Sequence, residues 1–241
     1  MAITYQNTLP DPNYAIGNDG GTSGSTGPGF ATVSLTSTSP IMKTRTNSGR
    51  MVARAIKSHL WSIAISYNPM TRAEFEPVYN FLLNRRGSLK PFFVSLPQYR
   101  TPQDSNFAGT VKIFAPSSSP LVAGVLTNVK SGSTILPVDG VTAGNPTPGD
   151  LFTITDANDS NHKKCYRVTQ VETSSSNQNG TPSGTQRIIH CMPGLQKTTL
   201  NDADLNFTNP LIRVVATDVQ EYSLGNDGLY TFSLKLEETL P

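Results

Sequence analysis

Bulky and small residues alternate strictly from Trp61 to Tyr67. Trp61, Ile63, Ile65 and Tyr67 fall on one side, and Ser62, Ala64 and Ser66 on the other. A period of two with one apolar face predicts a half-buried strand. Asn68-Pro69 ends it, and the period then changes to that of a helix over about residues 72–86. Phe75, Val78, Tyr79, Leu82 and Leu83 recur at i, i+3, i+4, i+7 and i+8, which predicts the buried stripe, with Arg72, Glu76, Asn80 and Asn84 facing outward. Thr71 with Glu74 three residues on predicts a capping box, each side chain meeting a free backbone donor of the other. Pro77 lacks an N–H and is expected to kink the first turn. Arg85 and Arg86 complement the negative end of the helix dipole, and Gly87 is expected to take the left-handed conformation that stops it. Phe92, Val94 and Leu96, interleaved with Phe93 and Ser95, resume a strand that Pro97 closes.

The same strict alternation returns at the far end of the chain, where Tyr230, Phe232, Leu234 and Leu236 share one side after a shorter run from Leu211 to Ala216. Its bulky face matches that of Trp61–Tyr67, so the C-terminal strand is expected to pair back with the sheet built before residue 108. Between them lie short β-rich runs at Thr110–Phe114, Val122–Val129, Thr134–Val138, Leu151–Ile154, Tyr166–Val171 and Arg187–Cys191. Turn clusters such as Asp139-Gly140 and Asn177-Gln-Asn-Gly180 separate them. Six short strands at that spacing predict a small barrel or sandwich. The expected organisation is a β-sandwich core from residues 30–107 and 196–241, carrying one flanking helix, with an inserted β domain at 108–195. Residues 1–29, with six glycines between Gly17 and Gly29, read as a flexible arm that orders only against a partner.

Composition narrows the function classes. Only 15% of the 241 residues are charged and the net charge is +2, which gives no electrostatic case for specific nucleic-acid binding. No apolar run approaches the length of a membrane span, and the start lacks the regions of a signal peptide, so maturation in the cytoplasm and reduced cysteines are expected. The loose basic stretch of Arg45, Arg50, Arg54 and Lys57 reads as a solvated loop and strand face.

Candidate chemistry is sparse. The histidines are His59, His162 and His190, two of them near cysteines as His162-Lys-Lys-Cys165 and His190-Cys191. Adjacent His190 and Cys191 point to opposite faces of a strand, which disfavours a shared zinc ion, and ordinary packing is the expected role. Asp156-Ala-Asn-Asp-Ser-Asn161 has the oxygen density of a calcium loop but lacks its glycine, and Arg167 stands where a bidentate glutamate belongs. The glycine tract has neither the strand, the helix nor the Gly-Lys-Ser/Thr ending of a phosphate loop. No nucleophile elbow or spaced carboxylate pair occurs. No catalytic, cofactor-binding or metal residues are therefore expected, and no enzyme.

The tryptophan strand ending in Tyr67, then Pro69-Met-Thr71 with Glu74, the aromatic helix, Arg86-Gly87 and the aromatic strand ending in Pro97 together resemble the signature of bacteriophage distal tail or minor tail proteins of the tail tip. The middle segment, with Gly132-Ser-Thr-Ile-Leu-Pro-Val-Asp-Gly140, Pro148-Gly-Asp-Leu-Phe-Thr-Ile154, Cys165-Tyr-Arg-Val-Thr169 and Ile188-Ile-His-Cys-Met-Pro-Gly-Leu195, is similar to an insertion in such proteins. The resemblance covers about residues 50–240. It implies a structural virion protein with a tail-tube-like β-sandwich, forming a homo-oligomeric ring, a hexamer, at the distal tail or baseplate, assembled in the host cytoplasm. Implied partners are tail tube, hub, tail fibre or baseplate subunits. A carbohydrate- or receptor-binding module is the alternative from another class. It would need exposed aromatics on the middle domain, where Phe114, Phe152 and Tyr166 each fit a core position. A tube initiator or connector of other symmetry would share the fold.

Overall fold

The computed structural model of the chain describes residues 7–10, 30–55, 59–118, 120–157, 159, 162–217 and 221–240. In chain order the elements are β1 (Phe30–Thr38), β2 (Ile41–Arg45), β3 (Met51–Ala55), β4 (Leu60–Tyr67), α1 (Arg72–Arg85) and β5 (Phe92–Ser95). Then follow β6 (Thr110–Ile113), β7 (Asn128–Val129), β8 (Ile135–Asp139), β9 (Leu151–Thr155), β10 (Cys165–Glu172), β11 (Arg187–Met192), β12 (Thr199–Leu200) and β13 (Asp204–Asn206). The chain closes with β14 (Leu211–Ala216), β15 (Tyr222–Leu224) and β16 (Tyr230–Glu238). The described residues are mainly β with one α-helix, and the chain divides into two compact units. Arg213–Thr239 joins the chain up to Val94 in the first, and Ser95–Ile212 makes the second.

The first unit is built on a six-stranded sheet in the order β1-β4-β16-β14-β5, with β15 alongside β16. As the matching alternations predict, β16 pairs antiparallel with β4, Leu234 opposite Ile65 and Leu236 opposite Ile63. That register puts Trp61, Ile63, Ile65, Tyr67, Phe232, Leu234 and Leu236 on one buried face. The helix covers it: Phe75 lies edge-on to Phe232 at 5.8 Å and stacks on Tyr230 at 4.6 Å. Burial of such aromatics contributes about 1.5–3 kcal/mol each, which is why a helix interrupted by Pro77 still forms. The Glu74 carboxylate accepts from the Thr71 N–H at 2.9 Å and from its hydroxyl at 2.8 Å, realising the predicted cap.

Two details of the helix differ from the periodicity reading. Its buried residues are Phe75, Val78, Phe81, Leu82 and Arg85, whereas Leu83 is 56% exposed and Tyr79 only half-buried. The stripe is rotated because Phe81 meets Phe92 of β5 edge to face, with ring centroids 5.3 Å apart, and the Arg85 guanidinium lies 4.5 Å over the Phe81 ring. An arginine stem can line an apolar face while its head keeps polar partners. The helix also ends one residue early: Arg86 itself takes φ 55° and ψ 48°, donating to the Leu83 carbonyl at 3.1 Å, and Gly87 continues the left-handed turn at φ 62°.

Within the stretch read as a loose arm, Asn7–Pro10 is docked. Leu9 is 1% exposed. Its N–H donates to the Phe93 carbonyl at 2.8 Å, and the Phe93 N–H donates to the Asn7 carbonyl at 2.7 Å. This is a parallel bridge on the free side of β5. The glycine tract from Gly17 to Gly29 lies outside the described residues.

The second unit is a closed six-stranded barrel in the order β10-β11-β8-β6-β13-β9, the barrel form of the two expected. Phe152, Tyr166, Phe207, Val111, Leu136 and Ile189 are among the side chains that fill it. The run Val122–Val129, expected as one strand, keeps only Asn128–Val129, because Gly124 at φ 80° and Thr127 at φ 62° break the extended backbone. Two strands absent from the reading, β12 and β13, appear beyond Cys191.

Candidate assembly surface

Three features of the first unit are left without cover among the described residues. One is the outer edge of β1. That strand pairs only with β4, with Thr32 opposite Ser66 and Ser37 opposite Trp61, so a row of backbone donors and acceptors stays open along its other side. Such an edge is a template for another strand. Across the sheet the equivalent edge of β5 is taken by Asn7–Leu9. The edges are thus asymmetric: one open, one clipped.

A second feature is the face of the sheet turned away from α1. The alternation that buries Trp61, Ile63 and Ile65 displays Thr32, Ser34 and Thr36 on β1, Ser62, Ala64 and Ser66 on β4, and Ser233, Lys235 and Glu237 on β16. Hydroxyls pair across it, as between Thr32 Oγ1 and Ser66 Oγ at 2.6 Å. A shallow groove of about 310 Å³ runs over Ser34, Ser62, Thr217, Lys235 and Glu237. One lysine and one glutamate among hydroxyls make a nearly neutral, hydrated surface.

The third is the hairpin of β2 and β3, in which Met42 stands opposite Arg54 and Arg45 opposite Met51. Each of its faces mixes large apolar side chains with bases, and neither is buried: Met42 is 64% and Met51 60% exposed. An isolated two-stranded hairpin is marginal in water, and an exposed apolar set of this kind marks an interaction surface. The basic residues Arg45, Arg50 and Arg54 of the sequence reading sit here and are exposed, while Lys57 lies outside the described residues.

The candidate chemical residues have structural partners. His190 stands on the side of β11 opposite Cys191, which is in the barrel core. Its Nε2 lies 2.6 Å from Glu172 Oε1. Burial pushes the Glu172 carboxyl up, but the N–H groups of Gln178 and Asn179, the Asn179 amide and His190 outweigh it and bring it down to about 2. His162 Nε2 is 2.7 Å from the Tyr166 hydroxyl, which also accepts from the Gln196 N–H at 3.0 Å. Burial first, with smaller charge effects, holds His162 down to about 4. Both cysteines are buried, and burial pushes the Cys191 thiol up to about 12. Of the calcium-like loop, Asp156 accepts from the Leu200 N–H at 3.1 Å and Asp159 meets Lys197 at 2.8 Å, while Asn158, Ser160 and Asn161 lie outside the described residues. Among the described residues no three histidine, cysteine or acidic side chains converge to hold a metal ion.

The barrel carries its own groove of about 530 Å³, lined by Lys112, Phe114, Asp139, Thr185, Asn201 and Asp202 among others. Phe152 and Tyr166 are fully buried, and Phe114 is half-buried at the groove rather than in the core. The open β1 edge and the paired hairpin escaped the sequence reading, because exposure of an edge depends on which strands flank it.

Residues 9–99 match the family described as distal tail protein pb9, A domain, N-terminal. Over 217 residues, 89% of this chain and 94% of the relative, the chain is 27% identical to distal tail protein pb9 of Escherichia phage T5. The two matches bear out the resemblance carried by the tryptophan strand and its helix. They support a structural role in a phage tail, and with it a place in the virion. No described helix is long and apolar enough to cross a membrane.

Proposed function

We propose that this structural tail protein closes into a hexameric ring at the distal end of the tail and joins the tube to the tip or hub. The observation that carries the reading is the asymmetry of the sheet in the first unit, with β1 open and β5 covered by Asn7–Leu9. A head-to-tail ring needs two different surfaces on each subunit that fit one another. An open edge and a clipped edge at opposite ends of one sheet are such a pair. Closing the ring buries backbone groups that would otherwise template uncontrolled pairing. The hydroxyl face of β1, β4 and β16 then becomes a continuous neutral surface, and the β2–β3 hairpin supplies the apolar and basic contacts to the next component of the tail. Other tail proteins are thus the partners, and the role is structural.

Labelling purified virions with antibody against the barrel unit tests the location. Gold confined to the tail end remote from the capsid is expected. Label along the whole tube, or at the capsid end only, contradicts it.

The groove over Lys112, Asp139 and Asp202 favours a second role for the barrel as a docking face for a polar partner in the tail. A glycan platform is less well supported, since two of the three aromatics named for it are sealed in the core.

A further inference from the structure

The segment that covers β5 is separated from the rest of its own sheet by a long connection. Pro10 and Phe30 bracket 19 residues, 11–29, of which six are glycine. β1, which begins at Phe30, is the edge strand opposite β5, so four inter-strand steps separate the two edges. At about 4.8 Å per step this is roughly 19 Å. A chain of that length reaches at most about 65 Å. In a ring whose subunits meet edge to edge, the β1 edge of one copy lies beside the β5 edge of the next. The neighbour's β5 is then nearer to Phe30 than the copy's own β5. The docking contacts of the described residues include the bridge at Phe93 and the bond from Arg85 Nη1 to Asn7 Oδ1 at 2.9 Å, and Leu9 is buried. The bridge and this bond join Asn7–Leu9 to β5 and to the last turn of α1.

Resting on the ring reading, we infer that Asn7–Pro10 is an exchangeable clip, which in the assembled protein docks on β5 of the neighbouring copy and forms the strand that bridges one sheet to the next. Exchange of an identical element is a low-cost route to association, because the contacts are the same in both states and only the connection changes. Tethering the clip makes the second contact of each junction intramolecular, which raises its effective concentration. It also accounts for the edge asymmetry. The β5 edge is filled by a strand that any copy supplies, and β1 meets the far side of that strand.

The test uses two full-length variants that each gain one cysteine, Thr8→Cys and Phe93→Cys, the two residues that face each other in the bridge. The native thiols do not compete, being buried. The variants are mixed, brought to the concentration at which rings form, oxidised and run under denaturing, non-reducing conditions. Neither variant holds both bridge positions as cysteine, so a covalent dimer reports exchange directly. A major dimer band, absent when either variant is oxidised alone or when the mixture is held dilute, is expected. Rings in light scattering with no dimer band overturn the clip exchange while leaving the ring intact. Monomers at every concentration with no dimer band overturn both. Dimer without rings upholds the exchange and contradicts the ring. A double variant carrying both cysteines controls for folding: when dilute, it is expected to oxidise within one chain and remain monomeric.

Discussion

Arg85, in the last turn of the helix, donates through Nη1 to the side-chain oxygen of Asn7 at 2.9 Å, tying the start of the chain to an element nearly eighty residues away. The guanidinium also lies over Phe81, so one side chain serves the helix core and the N-terminal segment together. Burial lowers its basicity, and a charged donor of this kind is worth more than a neutral one.

The clip should contribute to folding of the first unit through Leu9. Leu9→Ala is expected to destabilise it by about 2–4 kcal/mol, read by chemical denaturation. A stability unchanged by Leu9→Ala would show that Leu9 is not held in the core.

Trp61 is buried against the His59 ring, with centroids 4.6 Å apart, and its N–H donates to Glu238 at 3.0 Å. Trp61→Ala should cost about 3–5 kcal/mol. The backbone bond to Glu238 survives the substitution, so the loss measures packing, and an unchanged denaturation midpoint would contradict the strand assignment.

Stability of the barrel should fall with acid in two stages. His162 titrates at about 4 when folded, against 6.5 for the free side chain. The unfolded chain therefore binds the extra proton first as pH drops. Its contribution is full above about pH 6.5 and is lost by about pH 4, on the order of 3 kcal/mol. The Glu172 carboxylate, held at about 2, gives up its contribution only from about pH 4.5 downward. A pH series of denaturation midpoints followed in the barrel checks this. His162→Gln should flatten the stage between pH 6.5 and 4 and leave the lower one.

The β2–β3 hairpin should matter for assembly and little for the fold. Met42→Glu with Met51→Glu replaces two exposed side chains, and each change should alter monomer stability by no more than about 0.5 kcal/mol. Attachment of rings to the adjoining tail component should fall at least tenfold in co-sedimentation with tail tubes. Undiminished attachment would remove the hairpin from the interface.

How far the sequence reveals this depends on whether the determinant is local. The strand from Trp61 to Tyr67 and its match with Phe232–Leu236 were legible because strict alternation fixes both face and register. The capping box was legible because Thr71 and Glu74 are neighbours. The rotation of the helix toward Phe81 was not, since its partner Phe92 lies beyond a turn. The strand Asp204–Asn206 carries a single core residue, Leu205, too short a pattern to show a period. Leu9, one apolar residue before a glycine tract, gives no signal in the chain itself. Its burial depends on an edge that exists only once β5 and β14 are paired. The candidate surface was the least legible part, because an open strand edge is a property of topology and not of composition.

The central claim is closure into a ring, and the mass of the purified protein in solution tests it most directly, by light scattering over a concentration series with negative-stain images of the same samples. The account predicts a discrete species of hexameric mass that appears as closed annuli. Monomers at every concentration, or open filaments of unlimited length, would contradict it.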